Sequence, residues 1–139
     1  MFSFAPQTSN GQRFYSHLPY FSREMRGLEE RNFEQMLQKV SAIEGVVSAY
    51  VCSRAGNFVM GNTPKLADRN MYSAITSLAY GTAEQVGHEM NDDLRYVSLR
   101  FSEKNLLVVD LGPRHLLGLL IDGHVDQEQV LNMVRPNIA

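Results

Sequence analysis

Two nearly unbroken apolar runs, Leu106-Leu107-Val108-Val109-Asp110-Leu111 and His115-Leu116-Leu117-Gly118-Leu119-Leu120-Ile121, stand only Gly112-Pro113-Arg114 apart. Each has the length of a strand, and each would expose apolar side chains on both of its faces. Such strands belong inside a sheet that is covered by helices on both sides. A third run of this kind, Val46 to Cys52, follows a segment in which Phe33, Met36, Leu37, Val40 and Ile43 recur at helical spacing. The turn Ser53-Arg54-Ala55-Gly56 then returns the chain through Phe58-Val59-Met60 as an antiparallel hairpin.

The remaining elements fall into place around these strands. A first helix is expected over Leu28 to Ile43, with Gly45 as its terminator. Gly61-Asn62-Thr63-Pro64 reads as a loop, and a long helix follows from Ala67 to Met90. This helix carries one stripe of Met71, Ile75, Leu78, Thr82 and Val86, and a second of Tyr72, Ala79, Ala83 and Met90. That band is wider than packing against one sheet requires. Tyr96 to Phe101 alternates strictly, with Val97, Leu99 and Phe101 on one face and Tyr96, Ser98 and Arg100 on the other. A last helix is expected from the Asp126 cap to Arg135, stopped by Pro136.

Strand composition then orders the sheet. The first, fourth and fifth strands are apolar on both sides and take the centre; the short or alternating second and third take the edges. Hairpin connectivity pairs one with two, and three with four with five. A single order meets all these conditions, 2-1-5-4-3. The fold class is α/β (an α+β sandwich): a five-stranded, mostly antiparallel sheet with two helices on one face and one long helix on the other.

The 139 residues fit one domain with an ordinary core. Residues 1–27 stand apart, because Phe2, Phe4, Phe14, Tyr15, Tyr20 and Phe21 lie among Pro, Ser, Asn, Gln and Gly without any period. Such a tail either stays poorly ordered or docks on the domain or a partner; residues 28–139 form the domain. Its end, Ser22 to Gly27, could extend the first helix upstream. A net charge of −2 gives no electrostatic case for nucleic acid or an anionic membrane. Met1 to Pro6 lacks a secretion signal's basic and apolar segments, and no run approaches the ~20 apolar residues of a membrane span. With the single Cys52, a reducing, cytoplasmic setting is the expectation.

No cluster of residues suits catalysis. Gly56 to Gly61 lacks the Gly-Lys-Ser/Thr ending of a phosphate-binding loop. His115, Asp122 and His124 flank one strand without a metal-binding spacing, and His17 and His88 have no partner motif. The pairs Glu29-Glu30 and Asp92-Asp93 sit on a charged helix face and in a loop, where nothing raises a carboxyl pKa. Cys52 falls in a buried strand. No catalytic, cofactor-binding or metal-ligating residue is expected, no cofactor, and no enzyme activity.

An unpaired edge strand and a surplus apolar helical stripe are liabilities unless covered. A second copy covers both about a two-fold axis, edge on edge and helix on helix. The expected dimer interface is Met71 and Ile75 with Tyr96, Val97, Ser98, Leu99 and Arg100.

Four features of the chain are similar to the Roadblock/dynein light chain family: the Ile43-Glu44-Gly45-Val46 junction, the small-residue strand into the Gly56 turn, the long helix with its alanines and threonines, and the Leu106 to Ile121 meander broken at Leu111-Gly112. The likeness spans Leu28 to Pro136. Where the family commonly has an acidic residue before the turn glycine, Arg54-Ala55 stands here, in what reads as a surface turn.

The resemblance implies a Roadblock-like (profilin-like) fold and a homodimer, or a heterodimer with another Roadblock protein. It also implies a small Ras-like GTPase as partner, for which the chain is a scaffold or an activating or exchange co-factor; among prokaryotic relatives it looks like the gliding-motility GTPase regulator. Contacts to that GTPase are expected from Arg69, Tyr72, Thr76 and Tyr80 on the long helix. A small-molecule sensory module and a structural subunit of a larger motor or signalling assembly are the competing readings. A sensor needs a polar-studded pocket, whereas the central strands here are filled with Leu and Val.

Overall fold

The computed structural model describes residues 32–138. The tail 1–27 and the expected start of the first helix at Leu28 lie outside the described residues. In chain order the elements are α1 (32–41), β1 (Val46–Ser53), β2 (Phe58–Gly61), a 3-10 turn (Leu66–Asp68), α2 (Arg69–Met90), β3 (Val97–Arg100), β4 (Lys104–Asp110), β5 (His115–Asp122) and α3 (Gln127–Ile138).

The strands form one sheet in the order β2-β1-β5-β4-β3, and every neighbouring pair is antiparallel. The order is the one that strand composition requires. β4 and β5 are buried along almost their full lengths because helices lie on both of their faces. Ala49 and Val51 of β1, Leu107 and Val109 of β4, and Leu117, Leu119 and Ile121 of β5 point to one side. They meet Met36, Leu37, Val40 and Ile43 at the α1 end of the layer and Val130, Leu131 and Val134 of α3. The alternate residues, Tyr50, Cys52, Leu106, Val108, Leu116 and Leu120, point to the other side and meet Tyr72 and Tyr80 of α2.

The long helix begins at Arg69 rather than Ala67, after the 3-10 turn, and β3 is a residue shorter at each end than expected; two further boundaries bear on the core. Helix α1 ends at 41, and Ile43 reaches the core from the turn that follows it. That turn closes at Gly45, whose φ of +96° suits a residue without a Cβ, and a Cβ there would come within 2.7 Å of Val125 Cγ1. At the other end α3 runs through Pro136 to Ile138. A proline in the last turn removes only one ladder bond. Asn137 Nδ2 donates to the Met133 carbonyl at 3.0 Å, and Ile138 packs on the core. The expected start holds, with Asp126 Oδ1 accepting from the Glu128 amide at 3.0 Å.

Candidate interaction surface

Helix α2 is laid on the sheet with its apolar stripe outward. Its buried residues are Ser73, Thr76, Tyr80 and Gly87, which are small, hydroxylated or amphipathic. The sheet beneath supplies the bulk they lack, with Tyr50 filling the gap and its hydroxyl 2.6 Å from Thr76 Oγ1. On the opposite side Leu78 is 72% exposed, Met90 62%, Val86 54%, Met71 52% and Ile75 43%. These residues line one face of a helix about 33 Å long. An apolar row of this extent is uncommon on a surface that faces only water.

The helix is held in this pose at its C-terminus and by a brace from the sheet. Asn91 adopts a left-handed conformation at φ +55°, and the Asp92 amide donates to the Gly87 carbonyl at 2.9 Å, which closes the C-terminus. Nearer the middle Arg54, from the β1–β2 turn, forms a junction between three elements. Its Nη1 is 2.9 Å from Glu84 of α2, its Nη2 2.7 Å from Asp110 of β4, and its Nε donates to the Gly112 carbonyl at 3.1 Å. The guanidinium carbon stands 5.3 Å from the centroid of the Tyr80 ring. Burial works against the Arg54 charge, but Asp110 and Glu84 outweigh it and hold its pKa above the usual value. Arg54 is therefore a fixed brace and not the idle surface-turn residue its position in the sequence implies.

Beside α2 lies the free edge of β3. Its four residues pair with β4, Val97 opposite Val108 through Arg100 opposite Asn105, and no strand pairs with its outer side among the described residues. Val97 and Leu99 lean toward the α2 side of the sheet, while Phe101 just beyond is 57% exposed. The other face of β3 is polar and stiff. Ser98 Oγ lies 2.9 Å from Asn105 Oδ1 and 2.8 Å from Gln127 Oε1, and Asn105 Nδ2 donates to that same Gln127 oxygen at 2.7 Å. Tyr96 donates its phenol proton to Glu128, which holds the phenol above its usual pKa, and accepts from Gln127 Nε2 at 3.1 Å. Arg100 donates to the Gly123 carbonyl at 2.9 Å.

Of the expected interface residues, Met71 and Ile75 are exposed on α2, and Tyr96 to Arg100 run along the free edge, with Val97 and Leu99 on the α2 side of the sheet and Tyr96 and Ser98 on the other. The expected contacts to a further partner are divided. Arg69 is exposed, its guanidinium 5.2 Å from the Phe58 ring centroid. Tyr72 is half-buried, its ring edge-on to Tyr50 at 6.0 Å. Thr76 and Tyr80 are buried against the sheet and are not surface contacts. The large apolar side chains exposed on α2 besides Met71 and Ile75 are Leu78 and Val86 of the first stripe and Met90 of the second. Among the described residues no three His, Cys, Asp or Glu side chains cluster as a metal site, and no helix is long and apolar enough to cross a membrane.

The Roadblock/LC7 domain model matches residues 32–121. No curated protein sequence matches the chain. A Roadblock/LC7 domain from Streptomyces avermitilis superposes with a TM-score of 0.65 at 17% identity, over 76% of this chain and 87% of that one. The gliding protein MglB from Thermus thermophilus gives 0.67 at 16% identity, over 78% and 83%. An MglB described with a tetrameric arrangement gives 0.68 at 16% identity, again over 78% and 83%. At these identities the likeness is one of fold, and the family model carries the assignment: the chain belongs to the Roadblock/LC7 domain family.

Proposed function

We propose that this chain is a non-enzymatic, cytoplasmic adaptor that pairs through α2 and the β3 edge and, as a pair, binds a small Ras-like GTPase as scaffold or regulator. The observation that carries the pairing is the inverted helix: polar and small residues face the sheet, while Met71, Ile75, Leu78, Val86 and Met90 face outward beside a free strand edge. A second copy removes both surfaces from water at once. The described tetrameric arrangement of an MglB is in keeping with self-association in this fold. The class of partner comes from family membership and from the likeness to gliding proteins.

A regulator of this kind supplies no catalytic group. It acts by binding one conformation of the GTPase more tightly than the other, which shifts the population toward it. Arg54 has three of its five donors committed to Glu84, Asp110 and Gly112, which fixes it within the fold as a brace.

The test is capture on the immobilised chain from host extract, followed by direct binding of any small GTPase recovered, loaded with GDP or with a non-hydrolysable GTP analogue. A difference in affinity between the two states supports regulation, and equal affinity leaves only scaffolding. Absence of any GTPase from the captured set, with the chain folded and paired, sinks the GTPase half of the proposal. Nucleotide turnover that follows the purified chain and vanishes with a point substitution sinks the non-enzymatic half.

A further inference from the structure

The two helical layers are fastened to the sheet in unlike ways. On one face α1 buries Met36, Leu37 and Val40, and α3 buries Val130, Leu131 and Val134, all in one continuous cluster with the strands. On the other face the 22 residues of α2 bury only Ser73, Thr76, Tyr80 and Gly87, and the apolar contacts fall into two small, separate clusters. Apolar burial is the main attraction between layers, so α2 is the layer held least for its length.

The contacts that take its place are polar, and one is unmet. The Tyr50 and Thr76 hydroxyls share a hydrogen bond at 2.6 Å, and Ser77 Oγ donates to the Arg54 carbonyl. Ser73 Oγ is fully buried and has no hydrogen-bond partner. Water satisfies each of these hydroxyls on release, and for Ser73 release removes a desolvation penalty that the seated helix carries. Against release stands the brace of Arg54 to Glu84 and Asp110. Their side chains are 26%, 35% and 49% exposed, so solvent weakens it.

The connections allow the helix to leave in one piece. Residues 62–65 and 92–96, on either side of α2 and its leading 3-10 turn, are irregular and belong to no strand. No rung of the sheet needs to break. Beneath the helix lie Cys52, Val108 and Leu116, packed with Tyr80. Cys52 is fully buried, and burial pushes its thiol up to a pKa of about 12, so it is inert while α2 is seated.

We infer that α2 is a detachable layer: it leaves the sheet as a unit, at a lower free energy than global unfolding, while the strands, α1 and α3 stay folded, and each departure bares the sheet face around Cys52. Sub-global opening of this kind belongs to elements with few buried apolar contacts. A second copy that touches both the outward stripe and the β3 edge binds only the seated helix, and so shuts the sheet face by mass action; that consequence rests on the pairing proposed above.

Thiol labelling tests this in the full-length chain, at a dilution where it sediments as a single copy. Cys52 is the only cysteine, and its labelling by DTNB across low urea gives the free energy and urea slope of the opening that exposes it. Two variants in a Cys52→Ala background move the thiol: Val108→Cys stays under α2 but on β4, away from the β1–β2 turn, and Leu107→Cys lies on the opposite face. Cys52 and Val108→Cys should share one shallow slope, and Leu107→Cys should follow the steep slope of global unfolding. Arg54→Met should speed Cys52 labelling about tenfold. Ser73→Ala, which trades the unpartnered hydroxyl for a methyl, should slow it about threefold; loss of a hydroxyl that merely bonded or filled space would speed it. A steep slope at all three positions overturns the detachment. A shallow slope at Cys52 with a steep one at Val108→Cys also overturns it, since only the hairpin then frays. Raising the concentration until the chain pairs should slow labelling further, and an unchanged rate overturns the link to pairing alone.

Discussion

Gly118 stands directly opposite Tyr50 in the β1–β5 ladder, and its missing side chain makes room for the Tyr50 ring. A Cβ at Gly118 would lie 2.6 Å from the ring's Cε2 and hydroxyl oxygen. The ring therefore lies flat across β5 and carries its hydroxyl to Thr76, so that a glycine on the sheet sets the height at which α2 rests. Gly118→Ala is expected to destabilise the chain by roughly 3 kcal/mol in urea denaturation, since neither strand nor helix can yield cheaply. Tyr50→Phe is milder: it leaves Thr76 with one unmet partner and costs about 1 kcal/mol.

Arg54→Met should loosen α2 without unfolding the sheet. It leaves Glu84 and Asp110 facing each other without the cation between them. Because both carboxylates reach solvent, the expected loss is about 1–2 kcal/mol. Hydrogen exchange separates this from a general loss of stability: amides of α2 near Glu84 should exchange faster, while those of β4 and β5 keep most of their protection.

Stability should fall as pH drops from about 6.5 toward 4. Burial, helped by the neighbouring Arg114 charge, holds His115 at a pKa of about 4 in the folded chain, and the unfolded value is about 6.5. In this window the unfolded chain binds the extra proton, so each step toward acid favours it; above 6.5 the stability is fully present. The ring packs edge-on to Phe33 at 4.9 Å, where a charge is unwelcome. Allowing for its partial exposure, the group accounts for about 2 kcal/mol across the window. His115→Leu should flatten that part of the stability–pH curve, and an unchanged slope would assign it to other groups.

Pairing should fail when either half of the surface is spoiled. Val97→Pro removes a backbone donor and bends the free edge; Leu78→Glu places a charge at the centre of the apolar stripe. Both variants should sediment as folded monomers where the wild type is paired. A Val97→Pro chain that folds and still sediments as a dimer would remove the β3 edge from the interface. Tyr80→Ala, by contrast, should cost stability, because Tyr80 is buried under Arg54.

Central strands, edge strands and their order were legible because burial on both faces leaves a compositional mark: short apolar runs such as Leu107-Val108-Val109 and Leu119-Leu120-Ile121, bounded by turn residues, suit an interior strand. Helix α2 was legible as a helix but not in its rotation. Periodicity reports that Met71, Ile75 and Leu78 share a face and is silent on whether that face meets the sheet or a partner. The decisive facts are remote in sequence: Gly118 opens the space, Tyr50 fills it, and small Ser73 and Thr76 can then face inward. The bracing role of Arg54 is hidden for the same reason, since Glu84 and Asp110 are brought to it only by the folded sheet.

The two rims of the sheet are unlike, and this bears on how far association can go. Both rim strands are four residues long, but β3 pairs with β4 in unbroken register from Val97 to Arg100, while β2 pairs with β1 through an irregularity between Val51 and Cys52. Such a break twists the rim and spoils it as a template for a further strand. A chain that could add strands at both rims would polymerise end to end, as cross-β assemblies do. With one receptive rim and one blunted rim, joining through β3 turns every blunted rim outward, and growth halts after a single addition.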